Sequence, residues 1–532
     1  MIAAQRGYSE AIDALNSLQS NAATIEAIRK SGKTVNELNE PEMVEYLARI
    51  GHPRSALDRL NALHITGTKG KGSTASFCDT LLRQFRKDSS NKIGLYTSPH
   101  MIAARERIRI DGVPLSEETF ARYFWEVWDS LDSNCERRLP ATPLRPVYFR
   151  FMTLMAFHVF ISEKVAATLL EVGIGGMYDS TNIVEHPVVT GVTPLGLDHT
   201  AILGNTIEEI AFQKAGIFKP NAPAITASQP ESALRVLQHR AETVQAAYFQ
   251  VVKECPKLEH VNLGLPGAHQ RANASLAIAL VQAFAKSDAG KLVLRDSGDA
   301  LRLDVPNLSA DLIKALETAF WPGRCQRVDA ACTAGATYFL DGAHTIESIQ
   351  FSAKWYLDQV KDSKQTKALI FNCTNMRSGS TLLGALLDEI TKQYTPKEAL
   401  TFFRRVYFCT NTTFADGGSA SDLVSRAVDA SQLASLSLQR ELLQTWCSLL
   451  QVPAHPVEQL SVGIEQNSSL IRVVPSIEHA MRDVQEAGHV PDVFVVGSLH
   501  LVGGVMAHLQ NQGMLDDRLA SIPHRAVSNS IQ

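Results

Sequence analysis

Residues 63–73, LHITGTKGKGS, join a strand-like run to a helical pattern, and this junction decides the fold of the chain. The run LHIT (63–66) is typical of a strand, and Phe77, Leu81 and Phe85 recur after it at helical spacing. A glycine-rich turn at such a junction directs backbone N–H groups and the positive helix N-terminus toward phosphate. The residues predicted to bind phosphate are Gly67, Thr68, Lys69, Gly70, Lys71, Gly72 and Ser73.

The turn departs from the generic P-loop pattern G-x-x-x-x-G-K-[ST] at two positions. Ile65 occupies the place of the first glycine, and Gly72 delays the hydroxyl of Ser73 by one residue. We expect Lys71 to reach the outer phosphates of a nucleotide, with the Ser73 hydroxyl close by. The alternative is a loop that only turns the chain, and the strand–turn–helix context favours nucleotide binding.

Strand-like and helical runs alternate on the C-terminal side of this turn. KIGLYT (92–97), ATLLEV (167–172) and PVVTGVT (187–193) are apolar runs of the kind that are buried on both faces of a sheet. A second series follows Trp321, and its strand-like runs are TYFLD, ALIFNCT, VYFCT and DVFVVG. This alternation predicts parallel sheets covered by helices, which is an α/β fold.

The two series predict two domains. The first, 1–320, opens with a helix from Ser9, and the second, 321–532, is smaller. The stretch 286–320 is polar and irregular, as expected near a domain junction. A ligand site in the cleft between two such domains is a natural expectation.

Composition limits the classes of function. The chain has 532 residues and a mass of 58.2 kDa, which is too large for one ordinary core. Its 51 Lys and Arg residues stand against 55 Asp and Glu, so the net charge is only -4. This balance argues against nucleic acid as a partner bound through a broad basic face, but it allows a local basic pocket for a small polyanion.

Location and assembly are expectations from the same survey. No apolar run approaches the roughly 18–20 residues that span a bilayer, and the opening residues carry no secretory signal. The eight cysteines form no C-x-x-C pair, which favours reduced thiols in the cytoplasm, with mitochondria as an additional location. We expect a monomer without a membrane span.

Three polar residues lie at or just after predicted strands. Glu171 closes ATLLEV, Ser98 follows KIGLYT, and His199 follows PVVTGVT. Because parallel strands gather their carboxyl ends at one edge of a sheet, these groups could jointly hold Mg²⁺ against phosphates. Taken singly, each also has an ordinary structural role as a cap, a turn residue or a hydrogen-bonded histidine.

Lys214 and Asp341 are two further candidates, and each occupies a defined local position. Thr206 and Glu209 form a capping-box pattern that begins a helix, Gly216 fits its C-terminal cap, and Lys214 falls in its last turn. There Lys214 could simply complement the helix dipole. Asp341 follows the run TYFL directly, where it could cap the next element instead of contacting a ligand.

Several long motifs resemble one family. ITGTKGKGST, YTSPHMIAARERIRIDG, LLEVGIGGMYDSTNIV, GLDHTAILGNTIEEIAFQKAGIFKP, WPGRCQRV and YFLDGAHT occur in this order. Together they strongly resemble the folylpolyglutamate synthases, a family within the Mur-ligase-like ATP-dependent amide ligases. The opening YSEAIDALNSLQSN resembles the eukaryotic branch, and VVGSLHLVGGVM (495–506) extends the resemblance toward the C-terminus.

The resemblance implies an N-terminal P-loop ATPase domain, a smaller C-terminal Rossmann-like domain, and an active site in the cleft between them. The implied cofactors are ATP and Mg²⁺, with a monovalent cation left open. By motif, 67–73 would bind the ATP phosphates, with Lys71, His199 and Lys214 as catalytic residues. Ser98, Glu171 and His199 match the family's Mg²⁺ ligands.

Other matches concern the second domain and Lys214. Arg324 and Asp341 match residues that contact ATP, while His344 and Ser498 are candidates for the incoming glutamate. Lys214 matches a lysine that is carbamylated in bacterial relatives, and whether it is modified here is left open. Around Arg377 the chain departs from the family's NxTGDRD pattern, a difference that fungal variation would explain.

The implied reaction joins L-glutamate to a reduced folate through an acyl phosphate. Candidates for the folate are Arg105, Arg107 and Arg109 with the aromatic pair Phe149 and Phe151, because cations can meet the glutamate tail and rings can stack on the pteridine. Core packing is the alternative for the Phe pair, and a solvated or ion-paired strand is the alternative for the arginines.

Two other functions are compatible with this pattern. A dihydrofolate synthase, which would add the first glutamate to dihydropteroate, shares the scaffold. A catalytically silent nucleotide-binding or regulatory protein could also keep the fold. An intact set of residues argues against the silent protein: Lys71, Ser98, Glu171, His199, Arg324 and Asp341.

Overall fold

The structure is a computed structural model of the whole chain. It describes residues 6–19, 38–140, 142–296, 300–329, 336–373, 378–415, 422, 435–451, 463–466, 469–486 and 491–515. The described chain divides into two compact units. The first contains the chain up to His100 together with Ala104–Trp321, and the second contains Met101–Ala103 and the chain from Pro322 onward.

The first unit is built on an eight-stranded sheet. Its strands are β1 (Ala62–Thr66), β2 (Ile93–Tyr96), β3 (Ile108–Ile110), β4 (Val113–Pro114), β5 (Ala167–Glu171), β6 (Val189–Val192), β7 (Ala224–Ala227) and β8 (Phe249–Val252). The order across the sheet is β4-β3-β2-β5-β1-β6-β7-β8. From β2 to β8 neighbouring strands are parallel, and β3 and β4 extend one edge with antiparallel pairs.

Helices cover both faces of this sheet. They are α1 (Tyr8–Ser17), α2 (Asn39–Arg49), α3 (Lys71–Phe85), α4 (Glu117–Ser133), α5 (Tyr148–Ser162), α6 (Thr200–Leu203), α7 (Ile207–Lys214), α8 (Glu231–Thr243), α9 (Gln270–Lys286), α10 (Asp288–Val293) and α11 (Ala310–Glu317). Leu63 and Ile65 of β1 lie in a core shared with α3 and α9, whereas Leu170 of β5 lies in a second core with α4 and α5. Buried on both sides, these strands read as continuous apolar runs.

The second unit has a seven-stranded sheet in the order β13-β14-β12-β11-β15-β10-β9. Its strands are β9 (Gln326–Asp329), β10 (Thr337–Leu340), β11 (Thr366–Phe371), β12 (Arg405–Cys409), β13 (Gly463–Gln466), β14 (Ser469–Val474) and β15 (Pro491–Val496). The five strands from β14 to β10 are parallel, and β13 and β9 close the two edges as antiparallel partners.

The second sheet also has a helix layer on each face. Its helices are α12 (Ile346–Val360), α13 (Gly379–Thr391), α14 (Pro396–Leu400), α15 (Ser437–Leu449), α16 (Ile477–Gln485) and α17 (Leu499–Asn511). Phe339 of β10 lies in the core with α12 and α13, and its neighbour Tyr338 lies in the core with α16 and α17. The predicted α/β fold class is confirmed. Among the described helices, we find none with both the length and the apolar character needed to cross a membrane.

One local prediction was wrong. The capping box of Thr206 and Glu209 begins α7 as expected, but Gly216 is not a left-handed cap, because α7 continues into a 3₁₀ turn over Ala215–Ile217. A Cβ on Gly216 would lie 2.3 Å from the Cα of Met177. Close packing, and not helix termination, therefore requires glycine there.

Candidate active site

The glycine-rich turn after β1 adopts a backbone that side chains would disturb. Gly67 has φ +149° and Gly70 has φ +83°, and α3 begins at Lys71 directly after them. A Cβ on Gly67 would lie 1.8 Å from Thr193 Oγ1, and one on Gly70 would lie 2.3 Å from Asn273 Oδ1. Both positions therefore need glycine for close approach as well as for conformation.

The loop after β6 holds the first half of the turn. The N–H groups of Thr68 and Lys69 both donate to the carbonyl of Pro194 at 3.2 Å, and the Thr193 hydroxyl donates to the Lys69 carbonyl at 2.6 Å. The N–H groups that can face an anion are then those of the first turn of α3, which have no acceptor within the helix. The site is therefore a helix N-terminus whose preceding turn is held by the loop after β6.

Two lysines converge on the turn. Lys71 Nζ and Lys214 Nζ both donate to the Gly67 carbonyl, at 3.1 and 2.8 Å. Burial, followed by the positive charge of Lys71, lowers the pKa of Lys214 to about 7, while Asp198 and Asp179 act in the opposite direction. This lowered pKa brings the neutral amine of Lys214 within reach near neutral pH, and the pair of lysines places positive charge where phosphate would bind.

Ser98 and Glu171 lie at the ends of the adjacent strands β2 and β5, whereas His199 lies in the loop after β6, which β1 separates from β5. The sheet order places β2, β5, β1 and β6 side by side and parallel, so the residues that follow them share one edge. The Ser98 N–H donates to Oε2 of buried Glu171 at 3.1 Å. His199 has φ +51° and a half-exposed side chain, and its N–H donates to Asp198 Oδ1 at 2.9 Å.

This set of donors fits Mg²⁺ only as part of a larger site. Within the described residues no group of three His, Cys, Asp or Glu side chains is arranged to hold a metal. A carboxylate, a hydroxyl and an imidazole beside a phosphate loop are instead suited to an ion that keeps waters and shares phosphate oxygens. The chemistry of the side chains at this edge is therefore compatible with Mg²⁺ carried by a nucleotide.

Two buried amides beside the turn were not predicted. Gln270 Nε2 lies 3.4 Å from Ser73 Oγ, and Asn273 Nδ2 donates to Gln270 Oε1 at 2.9 Å. Both side chains are buried at the start of α9. The sequence signal that could have identified them is a pair of amide side chains three residues apart, at the start of a helix made mainly of small and apolar residues.

The folate candidates separate into two groups. Phe149 lies over the turn after β5, where a Cβ on Gly173 would be 2.4 Å from the Phe149 ring. Arg105 donates to the Leu115 carbonyl at 3.2 Å. These two residues remain candidates for the substrate.

Phe151 is corrected to a core residue. It is fully buried and packs on Phe124 and Trp128, with ring centroids 5.0 and 5.9 Å apart. A pteridine cannot stack on a ring that the core already covers on both faces. Core packing, the alternative weighed for this residue, therefore accounts for Phe151.

Arg107 and Arg109 have different surroundings within the first unit. Arg107 Nε donates to His100 Nδ1 at 2.9 Å. Arg109 Nε donates to the Glu106 carbonyl at 3.1 Å, and its guanidinium lies 5.0 Å from the Trp321 ring centroid. Burial lowers the pKa of Arg109. Arg109 is therefore corrected to a buried residue engaged within the first unit, while Arg107, like Arg105, remains a candidate for the substrate.

The second unit gathers its candidates at the carboxyl ends of β10 and β15. Asp341 is buried, and its two oxygens accept the N–H groups of Cys325 and Ala343 at 2.7 and 2.8 Å. A Cβ on Gly342 would lie 2.8 Å from Arg324 Nη1, so Arg324 lies directly beside the turn after Asp341. These contacts fix the turn after β10 but cap no helix, because the N-cap of α12 is Thr345, so the capping role weighed for Asp341 is wrong.

The glutamate candidates flank the same turn. His344 Nδ1 lies 2.7 Å from the Gly342 carbonyl, so Nδ1 carries the proton. Ser498 is buried at the start of α17, and the N–H of Gly497 before it donates to the Ala343 carbonyl at 2.9 Å. The second unit thus brings Arg324, Asp341, His344 and Ser498 together. Arg377 lies outside the described residues.

Fold and site define a two-unit α/β nucleotide-binding protein of the Mur-ligase-like class. No family model matches the chain. The folylpolyglutamate synthase of Saccharomyces cerevisiae (strain YJM789) is 41% identical over 508 residues, which cover 94% of this chain and 86% of that protein. The chain therefore belongs to the folylpolyglutamate synthase family.

Solved structures show the same fold. A Mycobacterium tuberculosis folylpolyglutamate synthase complexed with ADP and AMPPCP is similar with a TM-score of 0.62 at 22% identity, covering 88% of this chain and 95% of that one. A folylpolyglutamate synthase complex with AMPPCP and folate is similar with a TM-score of 0.61 at 20% identity, covering 95% and 100%. The predicted Mur-ligase-like two-domain architecture is confirmed at the level of the fold.

Proposed function

We propose that this chain is an ATP-dependent ligase that joins L-glutamate in γ-linkage to reduced folates. The observation that carries the proposal is the 41% identity to the yeast folylpolyglutamate synthase over 94% of the chain. The nucleotide and folate named in the complexes of similar structures support the same substrates. The convergence of Lys71 and Lys214 on the phosphate turn is the local feature that this chemistry needs.

The reaction needs ATP because a carboxylate is a poor electrophile. A terminal carboxylate oxygen of the folate attacks the γ-phosphorus of ATP, the bond to the β–γ bridging oxygen breaks, and ADP leaves. The amino group of glutamate then attacks the acyl phosphate, loses a proton and expels phosphate as the amide forms. Phosphoryl transfer between anions depends on alignment and charge neutralisation, which Lys71 and the N-terminus of α3 would supply.

Mg²⁺ belongs to the proposal and would be held by Ser98, Glu171 and His199. When bound, it would neutralise phosphate charge and hold the phosphate oxygens in register. The contact between the Ser98 N–H and Glu171 Oε2 holds the carboxylate at this edge before any ion binds. Asp198 Oδ2, 3.9 Å from His199 Nε2, would help to orient the imidazole.

Lys214 has two roles that the proposal keeps open. As an ammonium it adds positive charge beside Lys71. As a neutral amine, which a pKa of about 7 makes available, it can react with CO₂ to form a carbamate, an additional oxygen donor for a second ion. Carbonyl ¹³C NMR of the protein in ¹³C-bicarbonate, compared between the parent and Lys214→Met, separates these two roles.

The remaining candidates have substrate roles in the proposal. Arg324 and Asp341 would contact ATP, and His344 and Ser498 would hold the incoming glutamate. Phe149 and Arg105 would contact the folate. We also propose a monomer in a reducing, cytoplasm-like compartment, with mitochondria as an additional location, and the seven cysteines of the described chain, which form no disulfide, support the reducing compartment.

A substrate comparison tests the function. Purified protein is given ATP, L-glutamate and either tetrahydrofolate or dihydropteroate, and the products are measured by mass spectrometry together with released phosphate. We expect glutamate addition to tetrahydrofolate. Turnover of dihydropteroate alone would assign the chain as a dihydrofolate synthase. Nucleotide binding without folate-stimulated phosphate release would assign it as a silent nucleotide-binding protein.

A further inference from the structure

Asp179 lies at the centre of a buried hydrogen-bond network in the segment after β5. Its Oδ2 accepts the N–H groups of Gly173 and Ile174 at 3.1 and 3.2 Å. Its Oδ1 accepts the N–H and the hydroxyl of Thr181 at 3.0 and 2.6 Å. Burial raises the pKa of Asp179, and these four donors act against that rise. The carboxylate thus folds the segment back onto the turn that immediately follows Glu171.

The hydrogen-bond network continues to β1, the strand that leads into the glycine-rich turn. His64 of β1 is fully buried, burial lowers its pKa to about 3, and its Nε2 lies 2.8 Å from Thr181 Oγ1. Because the Thr181 hydroxyl donates to Asp179, neutral His64 donates to that hydroxyl. Thr66, the last residue of β1, donates its hydroxyl to the Gly175 carbonyl at 2.6 Å.

The same segment also clamps the end of α7, which carries Lys214. The Met177 N–H donates to the Gln213 carbonyl at 2.8 Å. Asn182 Nδ2 donates to the carbonyls of Met177 and Gly216 at 3.0 and 3.2 Å. The segment that Asp179 folds therefore has three sets of contacts. It contacts β1, which precedes the glycine-rich turn, the turn that follows Glu171, and the end of α7, where Lys214 lies.

We propose that Asp179 is a positioning residue that fixes Glu171 for the nucleotide-bound Mg²⁺ by holding the Gly173–Ile174 turn. The proposal rests on the proposed function, because it takes Glu171 as a ligand of that ion. Only a carboxylate has two acceptor oxygens, one for the N–H groups of Gly173 and Ile174 and one for the N–H and hydroxyl of Thr181. An amide offers a single oxygen, so its NH₂ group would face either the Thr181 donors or the two turn N–H groups. Partners bonded directly to a metal ligand typically influence metal affinity about 10–100-fold, and because Asp179 acts through the backbone of the turn we expect an effect at the lower end of that range.

The test measures metal coupling and not only activity. The dissociation constant of AMPPCP, a non-hydrolysable ATP analogue, is measured by calorimetry with Mg²⁺ and with EDTA, for the full-length parent and Asp179→Asn. We expect the affinity in EDTA to agree within about twofold, and the gain in affinity that Mg²⁺ provides to fall about tenfold. A folded Asp179→Asn variant with the parent's Mg²⁺ gain would overturn the proposal.

A matched control and a second variant complete the design. Ser180→Ala changes the buried neighbour of Asp179 and should keep the parent's Mg²⁺-dependent gain in AMPPCP affinity. A loss of that gain in Ser180→Ala as large as the loss in Asp179→Asn would overturn the specific role of Asp179. If Asp179→Asn fails to fold, Thr181→Val decides. This variant removes one hydroxyl donor to Asp179. A fall of about threefold or more in the Mg²⁺-dependent gain in AMPPCP affinity supports the proposal, and an unchanged gain overturns it.

The two proposals fail in different ways. A parent protein that ligates glutamate but shows no Mg²⁺-dependent gain in AMPPCP affinity would overturn the positioning role and leave the ligase function standing. A parent protein that binds AMPPCP with a Mg²⁺ gain but ligates no glutamate would overturn the function. In that case the effect of Asp179→Asn on the Mg²⁺ gain still tests the positioning role.

Discussion

The ammonium groups of Lys71 and Lys214 meet at one acceptor, the Gly67 carbonyl, at Nζ–O distances of 3.1 and 2.8 Å. Two like charges converge on a single carbonyl at the end of β1, and one of them is buried. Their repulsion contributes to the lowered pKa of Lys214, after burial itself. A bound phosphate would offset both charges, so the turn has its most favourable electrostatics when an anion occupies it.

Proton uptake on nucleotide binding follows from this pair. The phosphates of ATP favour the protonated form of Lys214, so binding should raise its pKa from about 7. At pH 8 the parent should take up a fraction of a proton on binding AMPPCP, measured by calorimetry in buffers of different ionisation enthalpy. Lys214→Met should lose that uptake. Equal uptake in both proteins would contradict this role of Lys214.

The same group predicts how stability depends on pH. Lys214 has its pKa lowered from 10.5 to about 7, so between those values the unfolded chain binds more protons than the folded one. Stability from this group therefore rises with pH across that window and is lowest below pH 7. The free energy of unfolding of Lys214→Met should exceed that of the parent by up to a few kcal/mol at pH 6.5. Denaturant melts should show that advantage shrinking toward pH 10, and a constant difference would be the contrary result.

Lys71 should be essential for ligation and dispensable for folding. Lys71→Ala removes the cation at the first turn of α3, and we expect ligation to fall at least about 100-fold while the melting temperature stays close to that of the parent. Lys291→Ala, which removes an exposed lysine on α10, is the matched control. Near-normal turnover of Lys71→Ala would show that the phosphate site is misassigned.

The sequence predicted the shared edge of the sheet because that edge depends on strand character alone. Ser98, Glu171 and His199 each follow an apolar run, and parallel pairing of β2, β5, β1 and β6 then brings the strand ends together. Asp179 could not be found in this way. Its partners Gly173 and Ile174 precede it by six and five residues, and only the folded loop turns their N–H groups back onto it.

Gly216 shows a different limit of sequence reasoning. A glycine after a helix is favoured as a left-handed cap and also wherever two backbones approach closely, and the local sequence is the same in both cases. Here the close approach to Met177 is the physical cause, and that contact lies between segments far apart in the chain. Glu171 and Asp341, by contrast, were placed at strand ends from the character of the preceding residues alone, without knowledge of tertiary contacts.

Gly70 should resist any side chain. Gly70→Ala would meet Asn273 Oδ1 at 2.3 Å and would hold a non-glycine residue at φ +83°, so we expect weaker AMPPCP binding and a loss of about 1–3 kcal/mol of stability. Adding Asn273→Ala removes the clash but leaves the backbone strain. The double variant should therefore recover only part of the loss, measured by chemical denaturation. Full recovery would show that the positive φ at Gly70 costs little.

Phe149 and Phe151 should have opposite mutational signatures. Both lie on α5, which begins at Tyr148, and residues two apart on a helix point about 200° away from each other. Phe151 therefore enters the core, while Phe149 lies against the turn after Glu171. Phe151→Ala should lower the free energy of unfolding by about 3–5 kcal/mol. In Phe151→Ala at reduced temperature the KM for tetrahydrofolate should be unchanged, whereas Phe149→Ala should raise that KM with a smaller loss of stability. A raised KM in Phe151→Ala, with a normal KM in Phe149→Ala, would reverse the assignment.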